Sequence, residues 1–408
     1  MDFSTALGAV TAKYPRFIIP VLKLEQREAI AFLLGGHNVL GILPTGFGKS
    51  LIMYLLPFCK MRALMKHQCA TLKKQGIPCA CILPMEEMSE EEKRDILNGH
   101  LKVVWSSPEA LLDASLSWRR LCTTLSARVS LLAFDKAHCI THWGEEFRPD
   151  FARVGELRSL VCPSTRTLIL TATMSADMRD RVFSLLHLPG KQVKIITKQP
   201  DRPNIFLSLV PDVRREDMPE WLHDHAALIT AKGSETPKAI IYCRTIPMTV
   251  QVWGFLMETL GNSAFRGGAR SQANQLVAMF HSRISVGTEE RLIRGFSDGS
   301  IRCMVATIAF GLGIDVPDVR HVFLFGMPSN AVDTWQMIGR AGRDGALADA
   351  CICPRYQGQV EASFKDLLSR CKSGEERCLR RALIRSVSVD KSGDSTSERC
   401  CSVSESHK

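Results

Sequence analysis

Short runs of apolar residues recur along the chain, and several end at a polar residue or lead into a glycine-bearing loop. The run at 129–135, VSLLAFD, ends in the acid Asp135, and the run at 38–43, NVLGIL, precedes such a loop. Uninterrupted apolar runs of this length are typical of strands that are buried on both faces of a parallel sheet. Ligands bind at the carboxyl ends of such strands, so we expect Asp135 at a ligand site. Further strands are predicted at 101–106, 167–173, 238–244, 301–310 and 319–326.

The loop after the second of these runs has the pattern of a phosphate-binding loop. It reads PTGFGKS at 44–50 and leads into an apolar helix predicted at 51–58. In such a loop the backbone N–H groups and the helix amino terminus hold phosphate, Lys49 reaches the outer oxygens, and Ser50 ligates Mg²⁺. The strict pattern has glycine where this chain has Leu43, and the alternative is a chance Gly-Lys-Ser turn.

The regions on either side of this loop differ in regularity. Residues 14–36 have a helical apolar periodicity that ends at a glycine pair. Lys23 and Gln26 lie on the polar side of this helix, where a glutamine is usually only solvated. Residues 63–76 predict a basic helix, but no apolar run separates it from the helix at 51–58. An alternating β/α domain should have a strand there, so we expect that one central strand is missing.

The segment that follows Asp135 interleaves aromatic and charged residues. In the stretch CITHWGEEFRPDF, Trp143, Phe147 and Phe151 alternate with acids and with Arg148. Aromatic side chains and cations on one loop suit the stacking of unpaired bases. The alternative is an ordinary amphipathic loop after a buried strand.

Composition narrows the class of protein. The 408 residues are too many for one core and indicate two or three domains. The hydrophobic fraction of 45% and the charged fraction of 23% are those of a soluble globular protein. A net charge of +10 favours a polyanion such as nucleic acid as partner. We expect no membrane helix and no signal peptide, and the 15 scattered cysteines are typical of reduced thiols in a cytosolic or nuclear protein.

The alternation of strands and helices restarts after a proline-rich crossing at 199–203, which we take as a domain boundary. A glycine-containing loop at 311–315 follows one predicted strand, and a basic segment at 336–345 follows a helix-like stretch. Arg340 and Arg343 lie three residues apart in that segment and are expected on one face of a helix. Such a pair is usually a solvated basic face. The functional alternative is a phosphate clamp or an arginine finger that offsets charge on a γ-phosphate.

The end of the chain lacks apolar strands. Cys378 lies on a predicted basic helix, and Cys400 and Cys401 lie in a serine-rich polar segment. A structural zinc site needs four ligands at characteristic spacings, and the set is incomplete because Ser404 stands three residues after Cys401. We therefore expect no zinc, and a disordered end of about twenty residues.

Taken together, these motifs resemble those of the RecQ family of superfamily-2 DNA helicases, over about residues 15–352. The resemblance implies an α/β fold with two tandem RecA-like (P-loop NTPase) parallel-sheet lobes and a truncated helical C-terminal tail. The implied bounds are 1–200 for the ATP-binding lobe, 201–354 for the second lobe, and 355–408 for helices like the start of a zinc subdomain and a disordered tail. The matching motifs are PTGFGKS (motif I), LTAT at 170–173 (III), IIYCR at 240–244 (IV), ATIAFGLGID at 306–315 (V) and QMIGRAGRDG at 336–345 (VI). In addition, the stretch AHCITHWGEEFRPDF is similar to the family's aromatic-rich loop, which senses single-stranded DNA.

The resemblance also implies cofactors, partners and roles for individual residues. It implies ATP and Mg²⁺ as cofactors, and 3′-to-5′ translocation with single-stranded DNA and duplex junctions as partners. It implies no membrane partner and a nuclear location, with the cytoplasm as the alternative location. Lys49, Asp135, Arg340 and Arg343 are the implied catalytic residues, and Ser50 and Asp135 hold the metal. The implied nucleotide-binding residues are Lys23, Gln26 (adenine reading), Pro44, Thr45, Gly46, Gly48, Lys49, Ser50, Asp315 and Gln336, and those that bind or couple DNA are Trp143, Phe147, Arg148, Phe151, Thr171 and Thr173.

Four features depart from the family pattern. Lys136 stands in the Asp-Glu-Ala-His box where the family has the glutamate that polarises the attacking water. A charged lysine cannot accept that proton, and loss of a general base costs roughly 10² to 10⁴ in rate, so we expect severely reduced hydrolysis with nucleotide binding retained. Motif Ia keeps only ALMKHQ at 63–68, and Met337 replaces an acid in motif VI. The cysteine set of the family's zinc subdomain is incomplete at Ser404, and we expect no winged-helix domain after it.

The sequence leaves three functions open. The first is an ATP-dependent 3′-to-5′ DNA helicase of the RecQ type. The second is a nucleotide-gated DNA-binding protein that does not turn ATP over, which Lys136 favours. The third is a defective or mis-spliced product that folds poorly, which the missing strand favours. An RNA helicase is least expected because the aromatic-rich loop indicates DNA.

Overall fold

The computed structural model describes residues 21–55, 72–81, 89–98, 100–101, 103–106, 111, 129–137, 140, 153–210, 217–268, 270–311, 316–326, 328–354, 360–388 and 400–405. The chain divides into two compact units, Met1–Pro200 and Asp201–Lys408. Each unit contains a sheet whose described strands all run parallel, which confirms the predicted α/β class. Within the part of the chain that the structure describes, no helix is long and apolar enough to cross a membrane.

The first unit holds a four-stranded parallel sheet and a separate two-stranded one. Its strands are β1 Asn38–Ile42, β2 Cys79–Cys81, β3 Val103–Trp105, β4 Leu131–Asp135, β5 Arg166–Thr171 and β6 Val193–Thr197. Its described helices are α1 Leu24–Leu34, α2 Lys49–Leu55, α3 Glu90–Leu97, α4 Val154–Ser159 and α5 Ala176–Leu185.

The order of the four-stranded sheet, β4-β5-β1-β6, brings two predicted functional segments to one edge. β5 pairs with both β1 and β4, so these strands lie on either side of it. Asp135 at the end of β4 is in register with Leu170, and Ile42 at the end of β1 is in register with the next residue, Thr171. Because all three strands are parallel, the phosphate loop and Asp135 leave the sheet at the same carboxyl edge.

The β2–β3 pair is joined to the first unit through its core. Among the described strands, β2 and β3 pair with each other and not with the four-stranded sheet. Trp105 of β3 is nevertheless 1% exposed and packs in one apolar cluster with Leu33 and Leu131. The break in strand pairing falls in the unit in which the sequence lacks an expected strand.

The second unit is built on a continuous six-stranded parallel sheet. Its strands are β7 Ile205–Leu209, β8 Lys238–Cys243, β9 Val277–Phe280, β10 Cys303–Ala306, β11 Val319–Phe325 and β12 Ala348–Cys353, in the order β7-β12-β11-β8-β10-β9. All six residues of β8 are buried, as expected of a central strand, and the one charged residue among them, Lys238, pairs with Asp318. The run at 301–310 gives a shorter strand than predicted, because the chain turns into a 3₁₀ helix at Ile308–Gly311.

Helices cover this second sheet, and the last of them follow β12. The described helices are α6 Glu220–Lys232, α7 Ile246–Leu260, α8 Val286–Asp298, α9 Ala331–Ile338, α10 Ala362–Ser373, α11 Leu379–Val387 and α12 Ser402–Glu405. Within the tail predicted to be disordered, the structure describes residues 400–405, of which 400–402 bond to the edge of this sheet. Leu207 of β7 forms a parallel bridge with Cys401, and its N–H donates to the Cys400 carbonyl at 3.3 Å. The polar, serine-rich sequence of the tail gives no sign of this pairing.

Candidate nucleotide-binding site

The predicted phosphate loop leaves β1 and runs into α2, whose first residue is Lys49. Gly46 and Gly48 have φ angles of +78° and +85°, a backbone conformation that favours glycine. The Lys49 ammonium donates to the carbonyl oxygens of Leu43 at 2.8 Å and Pro44 at 3.0 Å, so a positive charge lies inside the loop. A helix amino terminus and an ammonium within one loop form a site for phosphate.

Gln26 is buried against this loop and is not solvated, which the sequence pattern did not indicate. Its Nε2 donates to the carbonyl oxygens of Phe47 at 3.1 Å and Gly48 at 3.0 Å, and its Oε1 accepts the Lys23 N–H at 2.9 Å. A Cβ atom at position 48 would stand 2.8 Å from Nε2, which is a second reason for glycine there. Lys23 also contacts the loop, because its Nζ donates to the Phe47 carbonyl at 3.3 Å. Gln26 of α1 and Lys23, which caps that helix, were both predicted to bind nucleotide, and both hydrogen-bond to the loop directly.

Asp135 lies at the carboxyl end of β4 with ammonium groups in its surroundings. Lys136 follows it in a left-handed backbone conformation with a φ of +53°. Burial raises the pKa of the Asp135 carboxyl, while the charges of Lys49 and Lys136 lower it. The Lys136 N–H also donates to Asp135 Oδ1 at 2.9 Å, which acts in the same direction as the two charges. The carboxyl is therefore influenced both by the phosphate loop and by the residue that replaces the family's glutamate.

Thr171 and Thr173 are buried where β5 ends beside the phosphate loop. The Thr171 hydroxyl donates to the Thr173 carbonyl at 2.8 Å, and the N–H of Leu43 donates to the Thr171 carbonyl at 2.9 Å. The end of β5 is thus bonded to the residue that precedes the loop. The predicted role of these threonines in coupling DNA to hydrolysis stays a prediction.

Arg340 and Arg343 do not lie on a helix, so that expectation is wrong. α9 ends at Ile338, Gly339 caps it, and both arginines lie in the turn that follows. They line a small cavity together with Tyr242 of β8. Burial raises the pKa of Tyr242, while the charges of Arg340 and Arg343 lower it. The second unit therefore holds two guanidinium groups near a buried phenol, an arrangement that the motif IV pattern alone did not reveal.

Other predicted residues are placed only in part. Gln336 lies in α9 and is half-buried. Ser50 is the second residue of α2, and Thr45 lies in the turn before it. Five predicted residues lie outside the described residues: Trp143, Phe147, Arg148, Phe151 and Asp315.

Three cysteines of the second unit come together although they are far apart in sequence. The sulfur atoms of Cys378, Cys400 and Cys401 all lie within 4.8 Å of one another, and the Cys378 and Cys400 sulfurs are 3.3 Å apart. Hydrogen bonds with Cys400 and Cys401 raise the pKa of the Cys378 thiol. A closed structural zinc site has four ligands, and this group supplies three among the described residues. The three thiols therefore do not complete such a site.

The residues at the carboxyl edge of the first sheet fit a magnesium–nucleotide. The loop supplies an ammonium and a helix amino terminus for phosphate, and Asp135 supplies an oxygen ligand of the kind that Mg²⁺ prefers. The loop is open at its glycine, because a Cβ at Gly46 would meet no described atom within 4 Å. Ser50 carries the hydroxyl that completes this donor set.

Comparisons with known proteins agree with this arrangement. The DEAD/DEAH box helicase family model matches residues 23–181, and the helicase conserved C-terminal domain model matches residues 220–345. The probable ATP-dependent DNA helicase RecS of Bacillus subtilis is 30% identical over 376 residues, which are 89% of this chain and 70% of that protein. The ATP-dependent helicase wrn-1 of Caenorhabditis elegans is 33% identical over 336 residues, 79% of this chain. This chain spans only 30% of the nematode protein's length.

Solved structures agree on the fold. The Mycobacterium smegmatis helicase Lhr bound to single-stranded DNA and AMP-PNP superposes with a TM-score of 0.67 at 19% identity, over 94% of this chain and 51% of that one. Two RecA-like lobes and the two matching domain models define a superfamily-2 helicase. Within that class, the chain belongs to the RecQ family.

Proposed function

We propose that this chain is an ATP-dependent DNA helicase of the RecQ type that moves 3′ to 5′ along single-stranded DNA, and that Lys136 severely slows its ATP hydrolysis. The observation that carries the proposal is the pairing of an intact phosphate loop with an altered acid box. Lys49 and Gln26 hold the loop by hydrogen bonds of 2.8 to 3.1 Å, whereas Asp135 is followed by an ammonium-bearing residue in place of a base.

The residues of the first unit have distinct roles in this proposal. Lys49 binds the outer phosphate oxygens, and Ser50 and Asp135 hold Mg²⁺. When bound, the metal neutralises charge on the phosphates of ATP. Gln26 keeps the loop in its binding conformation through the carbonyls of Phe47 and Gly48.

The second unit contributes two arginines to the proposal. Arg340 and Arg343 supply positive charge to the reacting phosphates, a role worth roughly 10³ to 10⁵ in rate in analogous enzymes.

Lys136 weakens the chemistry without removing the binding site. A charged ammonium has no lone pair with which to accept a proton from the attacking water. Its positive charge also acts on the Asp135 carboxyl, where it competes with a metal ion for the same negative charge. We therefore expect nucleotide binding to persist while turnover falls.

DNA is the proposed polyanionic partner. Relatives that the chain resembles are named as ATP-dependent DNA helicases, and the Lhr structure is described as bound to single-stranded DNA. The net charge of +10 and the aromatic residues around Trp143 favour the same partner. We propose a nuclear location on the basis of the eukaryotic relatives, and we expect no structural zinc because the cysteine group supplies three thiols.

A second function, a nucleotide-gated DNA-binding protein without ATP turnover, is favoured by the same lysine. In that case nucleotide would change DNA affinity, but phosphate would not be released. The two functions differ only in hydrolysis, so one assay separates them.

The test is DNA-stimulated ATP hydrolysis by the full chain, by Lys136→Glu and by Lys136→Gln. We expect Lys136→Glu to exceed the natural chain by roughly 10² to 10⁴, because it restores a general base. Lys136→Gln removes the charge without supplying a base and should stay low. Robust hydrolysis by the natural chain would contradict the proposal.

The same variants distinguish the remaining functions. If none of the three proteins hydrolyses ATP, but AMP-PNP changes their affinity for a single-stranded oligonucleotide, the gated binding protein is the better description. A broad, non-cooperative thermal transition in all three would instead indicate the poorly folding product.

A further inference from the structure

The crossing between the two units, which the sequence suggests is a linker, makes specific contacts with the arginine-bearing turn of motif VI. Its last three residues, Asp201-Arg202-Pro203, are followed by Asn204 and then by β7, and all four lie in the second unit. The turn comprises residues 339–346 between α9 and β12. More than 130 residues separate the two segments in sequence, as the contact between Arg202 and Gly339 shows.

The Arg202 guanidinium donates to three carbonyl groups of the turn. Its Nη2 donates to Ala341 at 2.9 Å and to Gly342 at 2.7 Å, and its Nη1 donates to Gly339 at 3.4 Å. These carbonyls flank Arg340 on both sides and precede Arg343. A planar guanidinium can serve several acceptors at fixed angles, which a single ammonium cannot. Arg202 therefore fixes the backbone path of the segment that carries both candidate catalytic arginines.

Asn204 holds the same turn from a second direction. Its Nδ2 donates to the carbonyls of Gly342 and Ala346, both at 2.8 Å. A Cβ atom at Gly342, whose φ is +52°, would lie 2.5 Å from this nitrogen. Glycine at 342 is thus required both by the backbone angle and by the close approach of Asn204.

Arg202 is itself held by a buried arginine from the C-terminal helices. Arg380 of α11 has no exposed surface, and its Nη1 donates to Asp201 Oδ1 at 2.8 Å and to the Arg202 carbonyl at 2.9 Å. Asp201 Oδ1 also accepts the Arg202 N–H at 2.7 Å. Arg380 further donates to the carbonyls of Ile205 and Cys400. The backbone on both sides of Arg202 is therefore fixed by one buried guanidinium.

The charge of Arg202 also acts on the turn. Burial and the nearby charge of Arg343 lower the pKa of Arg202, while Asp344 raises it. Two guanidinium groups of like charge repel, and Arg202 Nη1 and Arg343 Nε both donate to the Gly339 carbonyl, each at 3.4 Å. Arg202 therefore shares an acceptor of the turn with one of the arginines that the turn carries.

We propose that Arg202 is a positioning residue for the motif VI turn, and that Arg380 and Asp201 hold it there. Arg202 sets the backbone from which Arg340 and Arg343 project, so the C-terminal helices are coupled to the candidate catalytic arginines through one hydrogen-bond path. Its consequence for nucleotide binding rests on the proposed function of those arginines. The hydrogen-bond path itself does not rest on that proposed function.

The first test is backbone hydrogen exchange by the full-length chain and by Arg202→Ala. The N–H groups of Gly342, Asp344 and Gly345 donate to the carbonyls of Val319, Pro317 and Gly342. We expect amides at 340–345 to exchange about tenfold faster or more in the variant, with β8 and β11 unchanged. Unchanged exchange in the turn would overturn the proposal. An equal increase in β8 and β11 would also overturn it, because that result indicates general destabilisation.

Two further variants make this test specific. Arg302→Ala removes another partly buried arginine of the same unit, which donates to the Thr236 carbonyl and not to the turn, and it should leave 340–345 protected. Arg202→Lys keeps the charge and most of the side chain, and it takes the place of Arg202→Ala in the test if that variant does not fold. We expect the same selective acceleration, since the donors of an ammonium all lie on one nitrogen and cannot replace bonds that Arg202 divides between Nη1 and Nη2. Natural protection in Arg202→Lys would show that charge alone suffices and would overturn the positioning role.

The second test measures how strongly the protein prefers AMP-PNP to ADP, which does not require hydrolysis. We expect Arg343→Ala to reduce this preference about tenfold, the usual scale for a charged hydrogen bond, and Arg202→Ala to reduce it by a similar factor. Adding Arg202→Ala to an Arg340→Ala/Arg343→Ala variant should cause no further loss, because Arg202 acts through those two arginines. Additive losses would overturn the inference. If Arg343→Ala itself has no effect, the proposed role of the arginines fails, while hydrogen exchange still decides whether Arg202 positions the turn.

Discussion

The two units join their secondary structure elements in different ways. In the first, the described strands form two sheets, and side chains such as Trp105 join the β2–β3 pair to the common core. In the second, six strands form one continuous sheet, and buried polar contacts bind the crossing, β7 and the C-terminal helices to it. Lys136 and the expected loss of a strand belong to the first unit, whereas Met337 and the incomplete cysteine set belong to the second. The comparison teaches that sheet continuity and an apolar core are separable.

The largest expected effect is on the second unit. Arg380→Met removes the cation that faces Asp201 and leaves that carboxylate and several carbonyls without their donor. Breaking one side of a buried ion pair typically costs 3–5 kcal/mol, so we expect the free energy of unfolding of this unit to fall by about 3–5 kcal/mol. Urea unfolding followed by tryptophan fluorescence measures the change.

A matched control tests whether burial causes this loss. Arg320 pairs with Asp344 in the same unit, but their side chains are 26% and 30% exposed. Arg320→Met should cost less than about 1 kcal/mol, as exposed pairs usually do. Equal losses in the two variants would show that burial does not explain the loss in Arg380→Met.

A smaller effect is expected from pH, again in the second unit. His225 of α6 is 3% exposed and packs against Phe323 of β11. Burial, with the charge of His321 nearby, lowers the pKa of His225 from 6.5 to about 4. The folded state therefore favours the neutral ring, and this contribution to stability is present above pH 6.5 and is lost as the pH falls towards 4.

The corresponding measurement is the loss of stability between pH 7 and pH 5. For His225 the shift corresponds to about 2 kcal/mol at pH 5. We expect His225→Leu to lose about 2 kcal/mol less than the natural chain over this interval. His223→Leu changes an exposed histidine of the same helix and should behave like the natural chain. Burial lowers the pKa of His321 as well, so some acid sensitivity should remain in all three proteins.

The smallest predicted effect concerns the first unit. Gln26→Leu removes the two hydrogen bonds to the Phe47 and Gly48 carbonyls and should weaken AMP-PNP binding about tenfold, or about 1.4 kcal/mol. Isothermal titration calorimetry measures the affinity, with Gln192→Leu on the exposed surface as control. Unchanged affinity in Gln26→Leu would mean that the loop keeps its conformation without this support.

Most of the strands that the sequence pattern predicted carry an apolar run, so their burial is visible in the sequence. β1, β4, β5, β8, β10 and β11 are such strands, whereas the run predicted at 101–106 forms only the three-residue β3. β9 has only four residues, and β12 begins ADAC with an acid inside the strand, so neither has a distinctive run. Their place in the sheet comes from pairing with β10 and β11, which depends on contacts distant in sequence.

The residues of the candidate site also differ in whether a local sequence pattern predicts them. Lys49, Ser50 and Asp135 were predicted because a local spacing defines a phosphate loop and a strand-end acid. The burial of Gln26 and the contacts of Arg202 were not, because a side chain that donates to distant carbonyl groups leaves no periodic pattern. The expected helix at Arg340 failed for a local reason, since Gly339 ends α9 just before it.

The pairing of Leu207 with Cys401 has a consequence for the surface of the protein. β7 is the outermost strand on its side of the second sheet, and an unpaired outer strand offers its N–H groups to any other extended chain. Here the Cys400 carbonyl accepts the N–H of Leu207, and the Ser402 hydroxyl accepts that of Leu209 at 3.1 Å. Residues 400–402 therefore occupy N–H groups of β7 that would otherwise be open to another extended chain, and we expect removal of this segment to promote edge-to-edge association of neighbouring molecules.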